Sequence, residues 1–240
     1  MEKSNLRVCE FLFLALLGSA YLGCADSGTI SDALQGEGYF LIRADARACV
    51  SPSCGGVFVS QLNASATRCA DDVMRSECYV AQLTSDTSRL AERAKQAPTA
   101  IVKGTILPKT FEGFGNLGQI SLTGLWLPFT QSDSQLDSTG SISTGEGYFS
   151  FRRDSRDCAS PNCGGFFVSP LNASTTRCAD EMTRSECYVA ALTSGSAELA
   201  ERANRVPTGI VNGKILPKTF EGFGNLGQIS AAELWLQFTP

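Results

Sequence analysis

The chain has 240 residues, of which 43% are hydrophobic and 18% are charged, a composition typical of a globular protein. Its net charge of −4 at pH 7 offers no basic surface, so we expect no nucleic-acid partner. The sequence contains no histidine, which excludes Ser-His-Asp and Cys-His catalysis as well as zinc or haem held by histidine.

Residues 1–24 are typical of an export signal. Lys3 and Arg7 precede an apolar run at 11–23 that is too short to span a bilayer comfortably. The run ends at Cys24, and this junction resembles a bacterial lipoprotein signal, in which the cysteine is acylated and becomes the new N-terminus. The alternative is a soluble secreted protein that is cut nearby. The sequence therefore predicts export, with lipidation of Cys24 and attachment to a membrane of the cell envelope.

The chain carries two copies of one domain. A shift of 109 residues aligns residues 36–130 with residues 145–239 without a gap, and 67 of the 95 aligned positions are identical. Between the copies, residues 131–144 are rich in Ser, Thr, Asp and Gly and predict a flexible linker, while residues 25–35 predict a similar tether. We therefore expect the second repeat domain to extend over 145–240 and the first over 36–130.

Each copy is predicted to be mainly β. In the first copy, segments rich in aromatic and β-branched residues predict strands at GYFLIRAD, GGVFVSQLN and ECYVAQLT. The next segment places Leu90, Ala91, Ala94 and Ala97 on one helical face, and Pro98 ends this short helix. Two more strands follow, AIVKGTIL and QISLTGLWLPF. The order β-β-β-α-β-β predicts two small tandem domains, each either a five-stranded OB-like β-barrel or a β-sheet backed by one helix.

The string GFGNLG occurs at 113–118 and 222–227 and matches the glycine pattern of dinucleotide-binding loops. A predicted strand follows each copy, so the helix N-terminus that would hold a phosphate is missing, and we expect no nucleotide and no cofactor. Ordinary turn packing between the last two strands is favoured, and a binding surface on the same loop is the alternative. The candidate residues of this loop are Lys109, Glu112, Phe114 and Asn116, with Lys218, Glu221, Phe223 and Asn225 in the second copy.

Eight cysteines remain besides Cys9 and Cys24, four in each copy, and this even count is typical of a disulfide framework outside the cytoplasm. The C-x4-C and C-x8-C spacing and the absence of histidine disfavour zinc. Four cysteines allow three connectivities, and we expect neighbours to pair because a Pro-containing turn, as in CVSPSCGG, can bring the first two together. The eight are Cys49, Cys54, Cys69, Cys78, Cys158, Cys163, Cys178 and Cys187.

The acidic residues predict neither a catalytic site nor a metal site. Asp45, Asp71, Glu77 and their counterparts have no spacing that distinguishes them from surface acids paired with arginines. The string ADDVMRSE lacks the ligand pattern of a calcium loop. NAS at 63–65 and 172–174 is a glycosylation sequon, which matters only in a eukaryotic source. We therefore expect no catalytic residue and no metal ligand.

Several strings together resemble a known family. The C-x-SP-x-CGG and RCAD…ECYVA strings, followed by ILPKTFEGFGNLGQIS, are similar to a domain-of-unknown-function family of predicted bacterial lipoproteins. The resemblance covers nearly all of both copies. It implies an envelope location and disulfide-type cysteines, but no assigned activity.

These observations predict a non-enzymatic binding module built from two disulfide-stabilised repeats. Its partner would be an envelope or extracellular protein or glycan, and two sites on one tether would gain avidity. The alternative is a disulfide-stabilised inhibitor of extracellular proteases, which would present CVSPSCGG or KTFEGFGN as a rigid loop. A hydrolase that uses a carboxylate pair is the least favoured of the three.

Overall fold

The computed structural model describes residues 36–129 and 147–240. The predicted export signal with Cys24, the tether and the linker lie outside these described residues and stay predictions. Within the described ranges, no helix has both the length and the apolar character needed to cross a membrane.

The two repeats contain the same elements in the same order. The first consists of β1 (Gly38–Ala44), β2 (Val57–Gln61), β3 (Thr67–Arg68), β4 (Met74–Arg75), β5 (Cys78–Val80), β6 (Gln82–Ser85), α1 (Ser88–Gln96), β7 (Thr99–Leu107), β8 (Thr110–Phe111), β9 (Gly115–Asn116) and β10 (Gln119–Pro128). The second consists of β11 (Gly147–Arg153), β12 (Phe166–Pro170), β13 (Thr176–Arg177), β14 (Thr183–Arg184), β15 (Cys187–Val189), β16 (Ala191–Ser194), α2 (Ala197–Arg205), β17 (Thr208–Leu216), β18 (Thr219–Phe220), β19 (Gly224–Asn225) and β20 (Gln228–Gln237).

The longer strands form the sheet of each repeat. In the first repeat, β1 pairs antiparallel with β2 and with β7, β2 pairs with β5, and β7 pairs with β10. The short β6 runs parallel to β10. The second repeat has the equivalent pairings, with β16 parallel to β20. The prediction of a mainly β fold with one short helix in each repeat is confirmed.

A closed barrel, one of the two predicted architectures, is not formed by the described residues. The third predicted strand breaks at Ala81 into β5 and β6, which pair with different neighbours. The N–H of Ala81 leaves the ladder and donates to the carbonyl of Gly118 at 3.2 Å. Each repeat is therefore a sheet backed by one helix. At the break the chain passes from one edge of the sheet, where β5 pairs with β2, to the other edge, where β6 pairs with β10, as in a partly open barrel.

Helix α1 closes the core because its apolar residues recur with the helical period. Leu90 and Ala94 are its buried residues, and they pack in one cluster with sheet residues such as Val102 and Ile120. Pro98 follows the helix, and its fixed φ and missing N–H prevent the helix from continuing. The burial of these apolar side chains is the main stabilising term for each repeat.

The core of the second repeat has larger residues at some positions and a smaller residue at another, compared with the core of the first. Phe151 and Phe166 replace smaller aliphatic residues, and their rings meet edge to face with centroids 5.7 Å apart. Gly209 stands where the first repeat has Ala100, and a Cβ at this position would lie 2.7 Å from the Phe151 ring. The smaller residue therefore makes room for the larger ring.

The two repeats share one sheet because β10 pairs antiparallel with β20. Leu127 lies opposite Leu236, its equivalent in the second repeat, so an approximate two-fold axis passes through this pair. Beyond the paired residues, the N–H groups of Phe129 and Phe238 each donate to a carbonyl of the other repeat at 2.8 Å. The side chain of Phe238 packs against the first core and that of Phe129 against the second. Each repeat thus contributes a side chain to the core of the other.

Two asparagines complete this junction. The Oδ1 of Asn63 accepts a hydrogen bond from the N–H of Tyr148 at 2.8 Å, and its Nδ2 donates to the carbonyls of Tyr148 and Leu171 at 2.7 and 2.8 Å. Asn172 makes the equivalent three bonds to the first repeat. Both residues have positive φ, 56° and 55°, which asparagine adopts more readily than most residues. The two predicted sequons therefore begin with residues whose Nδ2 atoms hold the repeats together.

We expect Asn63→Gly and Asn172→Gly each to lower the free energy of unfolding by about 1–3 kcal/mol, because polar backbone groups of the other repeat lose their partners. Glycine keeps the positive φ, and the added entropy of the unfolded chain is common to these variants and to the control that follows. Asp72→Gly is the matched control, since Asp72 has a φ of 63° but is exposed. Urea unfolding followed by circular dichroism measures the change. Losses no larger than that of the control would contradict the role of the asparagines.

Candidate binding surfaces

The GFGNLG motif contains the turn and the second strand of the hairpin β8–β9. Phe111 pairs with Gly115 across the hairpin, and the N–H of Phe114 donates to the carbonyl of Phe111 at 3.0 Å. Gly113 and Gly115 have φ of 77° and 76°, which glycine adopts without steric cost. Strand β10 begins at Gln119, directly after the motif. The motif is therefore a turn between strands and does not begin a helix.

Asn116 attaches this hairpin to the disulfide-bonded loop of the same repeat. Its Oδ1 accepts hydrogen bonds from the N–H groups of Lys109 and Gly118 at 2.9 and 3.2 Å, and its Nδ2 donates to the carbonyl of Ala70 at 2.8 Å. Asn225 makes the same three bonds in the second repeat, at 2.8, 3.2 and 2.6 Å. These two candidate binding residues thus use their side-chain amides to hold the hairpin in place.

The last glycine of the motif permits a close approach to that loop. Gly118 has a φ of 71°, and a Cβ at this position would lie 2.5 Å from the Cβ of Ala70. Gly227 lies in the same way against Ala179, where the distance would be 2.4 Å. Packing therefore requires glycine here in addition to the positive φ.

The disulfides join neighbouring cysteines, as the sequence led us to expect. The bridges are Cys49–Cys54, Cys69–Cys78, Cys158–Cys163 and Cys178–Cys187, with Cα separations of 5.7, 5.4, 5.7 and 5.4 Å. Both cysteines of the Cys69–Cys78 bridge are buried. This bridge closes the loop that contains Ala70, so it fixes the surface on which the hairpin rests.

A solvent-open groove lies between this loop and the end of β7. It has a volume of about 720 Å³ in the first repeat and about 710 Å³ in the second. We call the two surfaces the hairpin grooves, and equivalent segments of the two repeats line them. The first groove is lined by residues that include 68–72, 105–108 and Asn116. The second is lined by residues that include 177–181, Lys214, Ile215, Pro217 and Asn225. Sequence reasoning did not select the loop and strand residues of the groove, because they lie far apart in the chain. The repeated RCAD string, at 68–71 and 177–180, is the signal that could have identified the loop residues.

An arginine lowers the pKa of one acidic side chain in each groove. Arg75 lies 2.7 Å from Asp71, and its hydrogen bonds lower the pKa of Asp71 to about 2. Hydrogen bonds from Arg184 likewise lower the pKa of Asp180. A carboxyl group with so low a pKa cannot donate a proton near neutral pH, so Asp71 cannot act as a general acid.

The tip of each hairpin presents an aromatic side chain to solvent. Phe114 is 46% exposed and Phe223 is 44% exposed, high values for such large apolar residues. Glu112 and Glu221 are also exposed. The two candidate lysines each lie over a phenylalanine ring of their own hairpin, with Nζ 5.5 and 5.2 Å from the ring centroid. Of the candidate loop residues, the phenylalanines and glutamates are therefore free to meet a partner.

Asp45 differs from the solvated surface acid that the sequence led us to expect. Its side chain has no exposed area and accepts two hydrogen bonds from the Arg47 side chain, both at 2.9 Å. These bonds lower the pKa of Asp45, and Arg156 lowers that of Asp154 in the same way. Among the described residues, no group of three or more Asp, Glu, Cys or His side chains could hold a metal ion.

Comparison with family models gives one family at both repeats. The model described as Domain of unknown function (DUF6748) matches residues 38–139 and 147–239. Each matched segment contains all the strands of one repeat. Comparison with curated proteins gave no match to this chain.

We expect Gly118→Ala to destabilise the protein more than Gly113→Ala. Both glycines have positive φ, which costs alanine about 1–2 kcal/mol, but a Cβ at 113 would meet open space. The contact with Ala70 should add about 1–3 kcal/mol at 118. Adding Ala70→Gly should recover part of that excess, as measured by urea unfolding of the single and double variants. Equal losses at 113 and 118, or no recovery, would contradict the proposed close packing.

Proposed function

This chain belongs to the family described as a domain of unknown function, and we propose that it is an exported, lipid-anchored binding protein of the cell envelope without enzymatic activity. The observation that carries the binding role is a groove that occurs twice on one disulfide-stabilised body, each copy lined by an asparagine of a hairpin whose tip exposes a phenylalanine. The partner would be an envelope or extracellular protein or glycan.

The disulfides support export. Every cysteine within 36–129 and 147–240 is paired, and such bonds persist in oxidising compartments outside the cytoplasm. Each bridge restricts the unfolded chain and adds about 2–4 kcal/mol of stability in the chain-entropy account. Small exported domains commonly use bridges in this way because their cores are small. Cys24, at the end of the predicted leader, would then carry the lipid.

The repeated groove supports binding. Phe114 and Phe223 are exposed at the tips of the hairpins whose Asn116 and Asn225 line the grooves, and exposed aromatic side chains commonly anchor interfaces. The groove walls are held by a disulfide and by Asn116 or Asn225, so little ordering is needed when a partner binds. Two equivalent sites also allow a partner with two contact points to bind with avidity.

The carboxylates support a non-enzymatic role. Hydrolysis by a carboxylate pair needs one group with a raised pKa that can donate a proton. Asp45, Asp71, Asp154 and Asp180 instead have lowered pKa values, because each accepts hydrogen bonds from a neighbouring arginine. These ionised carboxylates are therefore suited to stabilising loops through their ion pairs with arginine.

Export predicts a specific covalent state. We expect the mature protein, purified from the membrane fraction, to begin at an acylated Cys24. Reduction should add two hydrogens for each of the four bridges, as read by intact mass. Cys24→Ser should move the protein to a soluble exported fraction without changing the bridges. A full-length chain in the cytosol, with its leader uncut and its thiols reduced, would refute export.

The hairpin tips predict how binding is lost. We expect Phe114→Ser and Phe223→Ser each to reduce partner recovery in pull-downs from envelope extract, and the double variant to abolish it, because each hairpin loses the exposed aromatic side chain at its tip. Both side chains are half-exposed, so the free energy of unfolding, measured in urea, should change by less than about 1 kcal/mol.

Val50→Ser is the matched control for this experiment, because Val50 is 76% exposed and lies on the Cys49–Cys54 loop instead. Unchanged recovery with the hairpin variants would rule out the hairpin grooves as the binding surface. The exposed, disulfide-closed loop that contains Val50 supports the inhibitor alternative. That alternative would be favoured if a protease were recovered with the wild type and the hairpin variants but not with Val50→Ser.

A further inference from the structure

The approximate two-fold axis relates two faces of the junction that have diverged. On one face, Tyr148 and Trp235 are buried, with 8% and 4% of their surface exposed. Their equivalents on the other face, Tyr39 and Trp126, are half-buried, with ring centroids 5.5 Å apart. Identical residues at equivalent positions thus lie in a closed environment on one face and in an open environment on the other.

The two faces differ at two pairs of equivalent positions, of which the first is Leu41 and Ser150. Leu41 on β1 packs against the buried cluster that contains Trp235. Ser150 has the equivalent place on β11 and lacks a side chain of that size. At Ser150 the structure has a solvent-open cleft of about 300 Å³, which Tyr39 and Trp126 also line.

The second pair is Glu233 and Gly124, and it also leaves Trp126 less tightly held than Trp235. Glu233 accepts a hydrogen bond from the Nε1 of Trp235 at 3.1 Å and so fixes the buried indole. The first repeat has Gly124 at this position, and a Cβ there would lie 2.8 Å from the Trp126 ring. The indole of Trp126 therefore packs over a glycine, and no carboxylate from that position holds it.

The cleft combines aromatic rings from one repeat with neutral polar groups from the other. Tyr39 and Trp126 of the first repeat line it together with Ser150, Ser169 and Gln237 of the second. Hydroxyl groups and a side-chain amide can both donate and accept hydrogen bonds. The lining is therefore suited to a ligand that has an apolar face and many hydroxyl groups.

The charged side chains at the cleft neutralise each other. Arg152 donates two hydrogen bonds to Glu186, at 3.1 and 2.8 Å, and its guanidinium lies 4.1 Å from the centroid of the Phe167 ring. All three side chains line the cleft. Because the pair carries no net charge, the cleft does not select an anionic or cationic ligand.

We propose that this cleft binds a neutral saccharide unit of a glycan. The C–H face of a sugar ring can pack on the aromatic rings, while its hydroxyl groups bond to the serines and to Gln237. The volume is at the lower end of the range for small-ligand sites, so it admits part of a glycan and not a folded domain. The cleft is separate from the hairpin grooves, and its test can fail while the proposed function stands.

The test is a titration of the full chain with soluble neutral oligosaccharides derived from cellulose, starch and chitin. Trp126 and Trp235 are the two tryptophans of the chain, and Trp126 is the half-buried one. We expect at least one oligosaccharide to change the tryptophan emission and to protect it from acrylamide quenching. Isothermal titration calorimetry on the same samples measures the affinity.

The decisive variant is Ser150→Leu, which introduces the residue present on the closed face. We expect it to weaken saccharide binding by about tenfold or more and to keep the unfolding free energy unchanged or raised. Val50→Ser is the control and should bind saccharide normally, because Val50 is 76% exposed and does not line the cleft. Absence of any response across the panel, or equal binding by a folded Ser150→Leu variant, would overturn the proposal.

Discussion

The whole architecture depends on the backbone pairing between β10 and β20. A repeat of about 95 residues buries a smaller fraction of its surface than a longer domain does. The pairing extends both sheets into one and brings Phe129 and Phe238 into the core of the opposite repeat. Asn63 and Asn172 satisfy backbone groups at the same junction. Two small cores thereby become parts of one larger body, which the four disulfides reinforce.

Duplication explains why this body could change on one side without losing its fold. Where the second core gained Phe151, Gly209 provides the space, so the change is compensated. Where the junction has Ser150 in place of Leu41, nothing fills the space, and a cleft opens. A compensated change preserves packing, whereas an uncompensated one at the surface creates a shape that a ligand can use.

Local signals in the sequence predicted the elements, and long-range contacts decided the rest. The longer strands, the helix that ends before Pro98 and the neighbouring disulfide pairs follow from short spacings, whereas the two-residue strands β3, β4, β8 and β9 were not predicted. The break at Ala81, where β5 pairs with β2 and β6 with β10, depends on strands that lie apart in the chain. Asn116 was a candidate binding residue because it lies in the loop predicted between the last two strands, but its partner Ala70 is 46 residues away. Asn63 likewise bonds to residues 85 and 108 positions away.

The junction also changes what the duplication means for binding. Two sites on a flexible linker can adapt to many spacings, and the linker then sets their effective concentration. Here the shared sheet fixes both hairpin grooves on one body, related by the approximate two-fold axis. Avidity then arises only with a partner whose contact points match that spacing and symmetry, such as a two-fold symmetric protein or a regularly repeating polymer. Selectivity between partners would therefore come from the pairing of β10 with β20 as much as from any side chain in the grooves.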